Sequence, residues 1–247
     1  MERGASEAVE LWWLDLDSWA AQDPNWDLML THEELQRAQA FAFPHLQLRY
    51  RATRALLRVI LAHYCGRDPR ELALLRSTAG KPRIEQCGNL DFNLSHSGPS
   101  ALVAVTRGQS RRVPVGIDLE HLRSDLDWQG ISSQIFHPVE QAALCAGDWR
   151  TFFTLWTRKE AWLKAVGTGW IDQSKQVSTI TENWKPEQNV WQQLRTEQGD
   201  WWVQSPSPPE SQSGEWAVGL CLGEVNLPVC WQAPEELGCL WERWCQT

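Results

Sequence analysis

No Cys-x-x-Cys pair occurs among the seven cysteines of this 247-residue chain, and their spacings match no zinc pattern. Their odd number and wide scatter, from Cys65 to Cys245, suit reduced thiols in a cytoplasmic protein rather than a disulfide framework. No apolar run approaches the ~20 residues that span a bilayer, so no membrane segment is expected. The opening residues 1–7 are acidic and lack an apolar core, which argues against a secretory leader. Basic side chains are outnumbered, 23 against 31 acidic, for a net charge of −8. That balance excludes the broad basic surface on which general nucleic-acid binding depends. No fixed-period repeat is present. No Gly-x-Ser-x-Gly elbow is present either, which argues against a hydrolase triad.

What remains is ordinary globular composition, 43% hydrophobic and 22% charged, with length for one large domain or two small ones. Seventeen tryptophans, many in the last third, read as core and surface filler. Residues 9–17 alternate in part and suit a strand. Thr31, three before Glu34, opens a helix with a capping box. Residues 46–65 read as a long helix ended by Gly66, with short strands at 72–76 and 90–94 around a Gly80-Lys81-Pro82 turn. Residues 101–106 and 113–119 read as strands pairing in a hairpin across the polar turn 108–112. Helices follow at 131–136, from His137-Pro138 onward, and at 149–166, the last ended by Gly167. Strand-like pieces at 176–180, 200–204 and 215–222 alternate with polar, Pro-rich loops such as 205–209.

Two short segments carry the chemistry. Asp118 and Glu120 lie two apart at the end of an apolar run, so on a strand they project from one face. Glu160 and Lys164 lie four apart in a helical stretch and share one helix face. A strand-borne carboxylate pair facing a helix-borne Glu/Lys pair suits a hard divalent cation and a phosphate. Each group also has a plainer reading. The pair is equally an exposed strand end, and Glu160 a solvated charge or the i,i+4 partner of Lys164. His96, between Ser95 and Ser97, also reads as a structural histidine, and Lys81 as a turn lysine. Arg49, Arg51, Arg54 and Arg58 crowd one helix with no acid between them. That is a solvated face, or a seat for a phosphate.

Four blocks occur in order: Gly80-Lys81-Pro82, Phe92-Asn93-Leu94-Ser95-His96-Ser97, Gly116-Ile117-Asp118-x-Glu120, and Trp156-x-x-Lys159-Glu160-Ala161-x-x-Lys164. Together, over roughly residues 45–170, they resemble the 4'-phosphopantetheinyl transferases of the surfactin-synthetase-activating (Sfp) type. The resemblance implies an α+β fold of two similar α/β halves, 1–119 and 120–247, related by pseudo-twofold symmetry. It implies transfer of 4'-phosphopantetheine from coenzyme A to a serine hydroxyl of an acyl or peptidyl carrier protein, releasing adenosine 3',5'-bisphosphate. It further implies Mg²⁺, with Mn²⁺ as an alternative, held by Asp118, Glu120 and Glu160. Glu160 doubles as the candidate base, and Lys164 contacts the diphosphate with help from Lys159. Lys81, Ser95, His96 and Arg54 fall at coenzyme A positions, Arg54 toward the 3'-phosphate. Gly167 and Gly169 match a Gly-x-Gly of the family, with Trp170 where an aliphatic residue is usual.

The chain is long enough to hold both halves of one site, so a monomer is expected. An acidic carrier-protein helix would dock on locally basic or apolar surface. Two other classes use the same residues: a metal-dependent phosphohydrolase, and a non-catalytic binder of coenzyme A or carrier protein. The carrier served, the acyl forms accepted and the role of the Trp-, Gln- and Pro-rich C-terminal region are not assigned by sequence.

Overall fold

The computed structural model describes residues 8–22, 25–77, 80–145, 148–169, 175–186, 189–212, 215–223 and 226–245. Trp170 lies outside them. Strand β1 (Val9–Asp15) gives way to helix α1 (Leu16–Ala21) because Asp15 turns back to accept from the Ser18 amide. The strand expected to run to residue 17 stops there. Helix α2 (His32–Gln39) opens on the expected box, with Thr31 and Glu34 capping each other reciprocally. Helix α3 (Pro44–Cys65) ends at Gly66, whose φ of 62° is the left-handed cap that glycine adopts without penalty. Strands β2 (Leu74–Arg76), β3 (Pro82–Ile84), β4 (Leu90–Ser97), β5 (Ser100–Arg107) and β6 (Val115–His121) follow. Then come helices α4 (Trp128–Ile135), α5 (Pro138–Cys145) and α6 (Trp149–Val166). Strands β7 (Gln192–Thr196), β8 (Gly199–Gln204), β9 (Trp216–Gly223) and β10 (Val229–Trp231) lead to helix α7 (Pro234–Cys245).

Two four-stranded sheets form, ordered β10-β1-β5-β4 and β6-β9-β8-β7, with β2-β3 as a separate ribbon. Alternation along β1 explains the layering. Trp12 and Leu14 pack with Ala52, Leu56, Val59 and Ile60 of α3. Val9, Leu11 and Trp13 face the other way, onto Val115, Ile117 and Leu119 of β6 and Val218, Leu220 and Leu222 of β9. The far side of the second sheet carries α6 through Ala161, Trp162 and Ala165 against Val203 and Cys221. The order of layers is therefore helix, sheet, sheet, helix, an α+β arrangement.

The expected hairpin between 101–106 and 113–119 does not form. β5 pairs with β1 and β4, and β6 pairs with β9. Val115, Ile117 and Leu119 of β6 instead pack face to face against Val9, Leu11 and Trp13 of β1 and Leu102 and Ala104 of β5. The stretch 176–180 is not a strand, because side chains rather than a partner strand take its backbone groups. Glu140 accepts from the Thr179 amide, and Arg158 donates to the Thr179 carbonyl. Strand β10 pairs parallel with β1, and Leu237, Leu240 and Trp241 of α7 join the α3 core. Neither element was anticipated. The expectation of uniformly reduced thiols is corrected at one place, since Cys65 and Cys87, with Cα atoms 5.9 Å apart, form a disulfide.

Candidate active site

The site begins with two absent side chains. An added Cβ at Gly116 would sit 1.9 Å from the Ala161 carbonyl oxygen, and one at Gly219 would sit 2.1 Å from that of Thr157. Helix α6 therefore lies directly on the backbones of β6 and β9. Gly116, Asp118 and Glu120 share the face that this helix covers. Glycine at the first of these positions lets the helix come close enough for Lys164 to reach the second. The Lys164 ammonium lies 2.6 Å from Asp118 Oδ1 and donates to the Ile117 carbonyl and Ser95 Oγ as well. Ser95 Oγ in turn donates to Asp118 Oδ1 at 2.8 Å. Asp118 is buried, and its Oδ2 has no hydrogen-bond partner. Glu120 accepts from Ser97 Oγ at 3.0 Å. Burial, and then the neighbouring Asp118 charge, raise the Glu120 pKa above the usual carboxylate range.

Glu160 and Lys164 line a cleft of about 240 Å³ together with Lys81, Asn93, Gly167 and Gly169. Lys81 enters from the turn before β3, its ammonium 2.6 Å from Asp91 Oδ2 and 2.9 Å from the Val115 carbonyl. A second cavity, about 260 Å³, is lined by Arg54, His96, Arg49, Tyr50 and Arg76. Leu94 borders both. Of the expected residues, the structure brings Asp118, Lys164 and Ser95 into direct contact, places Glu160 and Lys81 in the adjoining cleft, and sets Arg54 and His96 in the second cavity.

Lys159 is not brought to this group. It is fully buried, its ammonium 2.7 Å from Glu140 and bonded to the Val177 carbonyl. Burial lowers its pKa, and Glu140 only partly offsets that. This placement assigns Lys159 to the interior, in place of the expected contact with coenzyme A. The arginine cluster is not unopposed either. Arg49 meets Asp17, Arg51 meets Asp27, and Arg54 and Arg58 share Glu34. Burial works against ionisation of Glu34, but the Thr31 amide and the two guanidiniums outweigh it and hold its pKa low. Arg58 is buried and also donates to the Pro69 and Leu72 carbonyls, so it is a fold residue.

Among the described residues, no three His, Cys, Asp or Glu side chains stand close enough to hold a metal ion. Asp118 Oδ1 is met by the Lys164 ammonium, which leaves Oδ2 as its unpartnered oxygen. The unpartnered Oδ2 and the all-oxygen donor set nevertheless fit a hard divalent cation. Sequence reasoning missed Asp91 and quoted Asn93 and Ser97 in a motif without giving them a role. The signal was legible, because polar residues at 91, 93, 95 and 97 alternate with apolar Leu90, Phe92 and Leu94 inside the fold.

The superfamily model described as "4'-phosphopantetheinyl transferase superfamily" matches residues 114–221, spanning the β6 carboxylates and α6. One described as "4'-phosphopantetheinyl transferase, N-terminal" matches residues 17–107. The 4'-phosphopantetheinyl transferase HetI of Nostoc sp. is 38% identical over 172 residues, 66% of this chain and 70% of that protein. The chain belongs to the 4'-phosphopantetheinyl transferase superfamily. This makes it an enzyme of a transferase family, and the cleft between the Lys81 turn, β4 and α6 its candidate active site. The phosphopantetheinyl transferase of Thraustochytrium sp. is 32% identical over 182 residues, covering 66% of this chain and 62% of that protein. A 4'-phosphopantetheinyl transferase of Bacillus subtilis is 34% identical over 119 residues, covering 46% and 50%. Among the described residues, no helix of this transferase is long and apolar enough to cross a membrane.

Proposed function

We propose that this transferase moves 4'-phosphopantetheine from coenzyme A to a serine hydroxyl of an acyl or peptidyl carrier protein, releasing adenosine 3',5'-bisphosphate. One observation carries the reading. The Arg54–His96 cavity and the Lys81–Glu160–Lys164 cleft adjoin at Leu94. A single ligand with a phosphorylated nucleotide at one end and a diphosphate next to it can occupy both. Arg54, held by Glu34 and lining the cavity, offers the terminal phosphate a fixed partner. His96, exposed on β4, faces the same space.

The serine oxygen attacks the β-phosphorus as the bond to the leaving bisphosphate breaks. Negative charge gathers on the non-bridging oxygens and on the leaving group. Lys164 is positioned by Asp118, Ser95 and the Ile117 carbonyl, so its ammonium needs no reorganisation to meet that charge. Lys81 stands in the same cleft. Glu160, on the cleft wall, accepts the serine proton directly or through water. In this reading Asp118 Oδ2, Glu120 and Glu160 would hold Mg²⁺, which when bound would neutralise diphosphate charge. The Sfp-type assignment, a cytoplasmic monomer and two pseudo-symmetric halves, 1–119 and 120–247, belong to the same proposal. One long helix backing each sheet supports the two halves, although a boundary at 119/120 falls inside β6 of the second sheet, and β10 and α7 return to the first.

Incubation with coenzyme A, Mg²⁺ and a panel of apo carrier proteins, followed by intact-mass measurement, tests the reading. A carrier should gain one phosphopantetheine, and folded Glu160→Gln should give none. Coenzyme A consumed with no carrier gaining mass would mean a phosphohydrolase instead.

A further inference from the structure

Strand β6 is an edge strand of its sheet, yet its outward backbone groups are met by side chains. The Val115 amide donates to Asp91 Oδ2 at 2.9 Å, the Ile117 amide to Asn93 Oδ1 at 3.0 Å, and the His121 amide to Ser97 Oγ at 3.0 Å. The sequence offset is the same each time, 24 residues. The outward carbonyls of Val115 and Ile117 accept from Lys81 and Lys164. Asp91, Asn93 and Ser97, on one face of β4, thus act as rungs between the two sheets, replacing a backbone ladder. At position 95 the pattern breaks. The same offset would lead Ser95 to Leu119, but its hydroxyl goes to Asp118 Oδ1 and Lys164.

We infer that Asn93 is a positioning residue for the reacting group, setting the height of β6 against β4 so that Asp118 meets Ser95 and Lys164. The inference rests on the transferase reading but concerns a residue to which that reading gives no role. Three facts single out Asn93. It is buried at 4% exposure, it is the one neutral amide among the rungs, and its Oδ1 holds the residue next to Asp118. Asp91 and Ser97 are each shared with another group, Lys81 and Glu120. The rung at Asn93 is therefore the one whose loss moves the strand without removing a partner of Lys81 or Glu120. A backbone amide left unpaired there costs enough to favour a shifted strand. A displacement of about 1 Å at a reacting group is worth on the order of 100-fold in rate.

The test compares Asn93→Ala with Asn93→Asp, which keeps an acceptor at Oδ1. Two quantities are read. The first is hydrogen exchange of the Ile117 amide in the metal-free protein, relative to that of Leu220 on β9. The second is the Mg²⁺ concentration giving half-maximal carrier modification, alongside KM for coenzyme A. In Asn93→Ala, Ile117 should exchange at least tenfold faster relative to Leu220. The half-activating Mg²⁺ concentration should rise severalfold and kcat should fall, while KM for coenzyme A stays within about twofold. Asn93→Asp should restore Ile117 protection together with most of the Mg²⁺ response. Should Asn93→Ala not fold, Asn93→Ser, with a hydroxyl of the length Ser97 uses, is read in its place. An unchanged kcat and Mg²⁺ response in a variant whose Ile117 amide has lost protection overturns the inference. So does a protected Ile117 in Asn93→Ala. If the wild type modifies no carrier, the functional reading fails, and the Ile117 exchange still decides whether Asn93 holds the strand.

Discussion

Replacing Gly116 with alanine tests the geometry most directly. The new methyl carbon would lie 1.9 Å from the Ala161 carbonyl oxygen and 2.5 Å from the Ala165 nitrogen, both backbone atoms that no rotamer can move aside. Carbon–oxygen contacts settle near about 3.3 Å, so α6 must retreat by roughly 1.4 Å or β6 must buckle by as much. Overpacking of this kind costs about 3 kcal/mol or more, at the upper end for inserting a methyl into a filled interior. For a chain of this length that lowers Tm by roughly 6–12 °C. The same retreat opens the 2.6 Å contact between Lys164 and Asp118. Turnover of the folded fraction should then fall on the order of 100-fold. Thermal melting by circular dichroism and carrier modification by intact mass read the two effects. Gly238→Ala in α7 is the control. Nothing lies within 4 Å of an added Cβ there, and alanine suits a helix better, so Tm should hold or rise slightly. A Gly116→Ala protein with wild-type melting and turnover would show that α6 does not rest on β6 as described.

Dephospho-coenzyme A should bind more weakly than coenzyme A, and Arg54→Ala and His96→Ala should each shrink the ratio of the two affinities; a constant ratio across all three proteins would remove both residues from the 3'-phosphate. The folded pKa of Glu120 is raised, so ionising it destabilises the metal-free fold. That penalty is absent below the unfolded value of about 4.3 and grows as pH rises through the folded value. Glu120→Gln should accordingly raise Tm at pH 7 without Mg²⁺, and the gain should vanish below about pH 4; a gain of equal size at both pH values would point to packing instead. Lys159→Ala leaves Glu140 buried without its ammonium, and breaking such a pair costs about 3–5 kcal/mol. Chemical denaturation should show that loss while coenzyme A affinity of the folded protein stays unchanged, and a selective affinity loss would return Lys159 to the ligand.

Local signals were legible wherever a residue acts on its own segment. The Thr31–Glu34 box, the Gly66 and Gly167 caps and the full span of α6 follow from spacing and from glycine's freedom at positive φ. Strand and helix periodicities each put Asp118 and Lys164 on a definite face, but the sequence assigned one to a metal and the other to the diphosphate, and their contact with each other is a finding of the structure. What the sequence concealed is nonlocal. Nothing near residue 115 announces that β6 turns from β5 to β9, a choice made by sheet-on-sheet burial of Ile117 and Leu119. The acids opposing the arginines sit 20 to 32 residues earlier in the chain. Lys159 and Lys164 look alike in a motif, yet burial beside Glu140 sends one to the interior while the other borders the cleft.

The pairing of β10 with β1 has a bearing on how the chain is made. β1 forms from residues 9–15, and its outer edge is met by residues 228–232, far later in the chain. Trp26, similarly early, has its ring centroid 4.7 Å from that of Trp241. On the ribosome, then, the first sheet holds an uncovered strand edge and an unfilled aromatic pocket until residues 228–241 have emerged. An exposed edge of that kind is where nascent chains pair with one another. A chaperone that shields short apolar strands has a long window at residues 9–15, and cleavage ahead of residue 228 would leave that edge open.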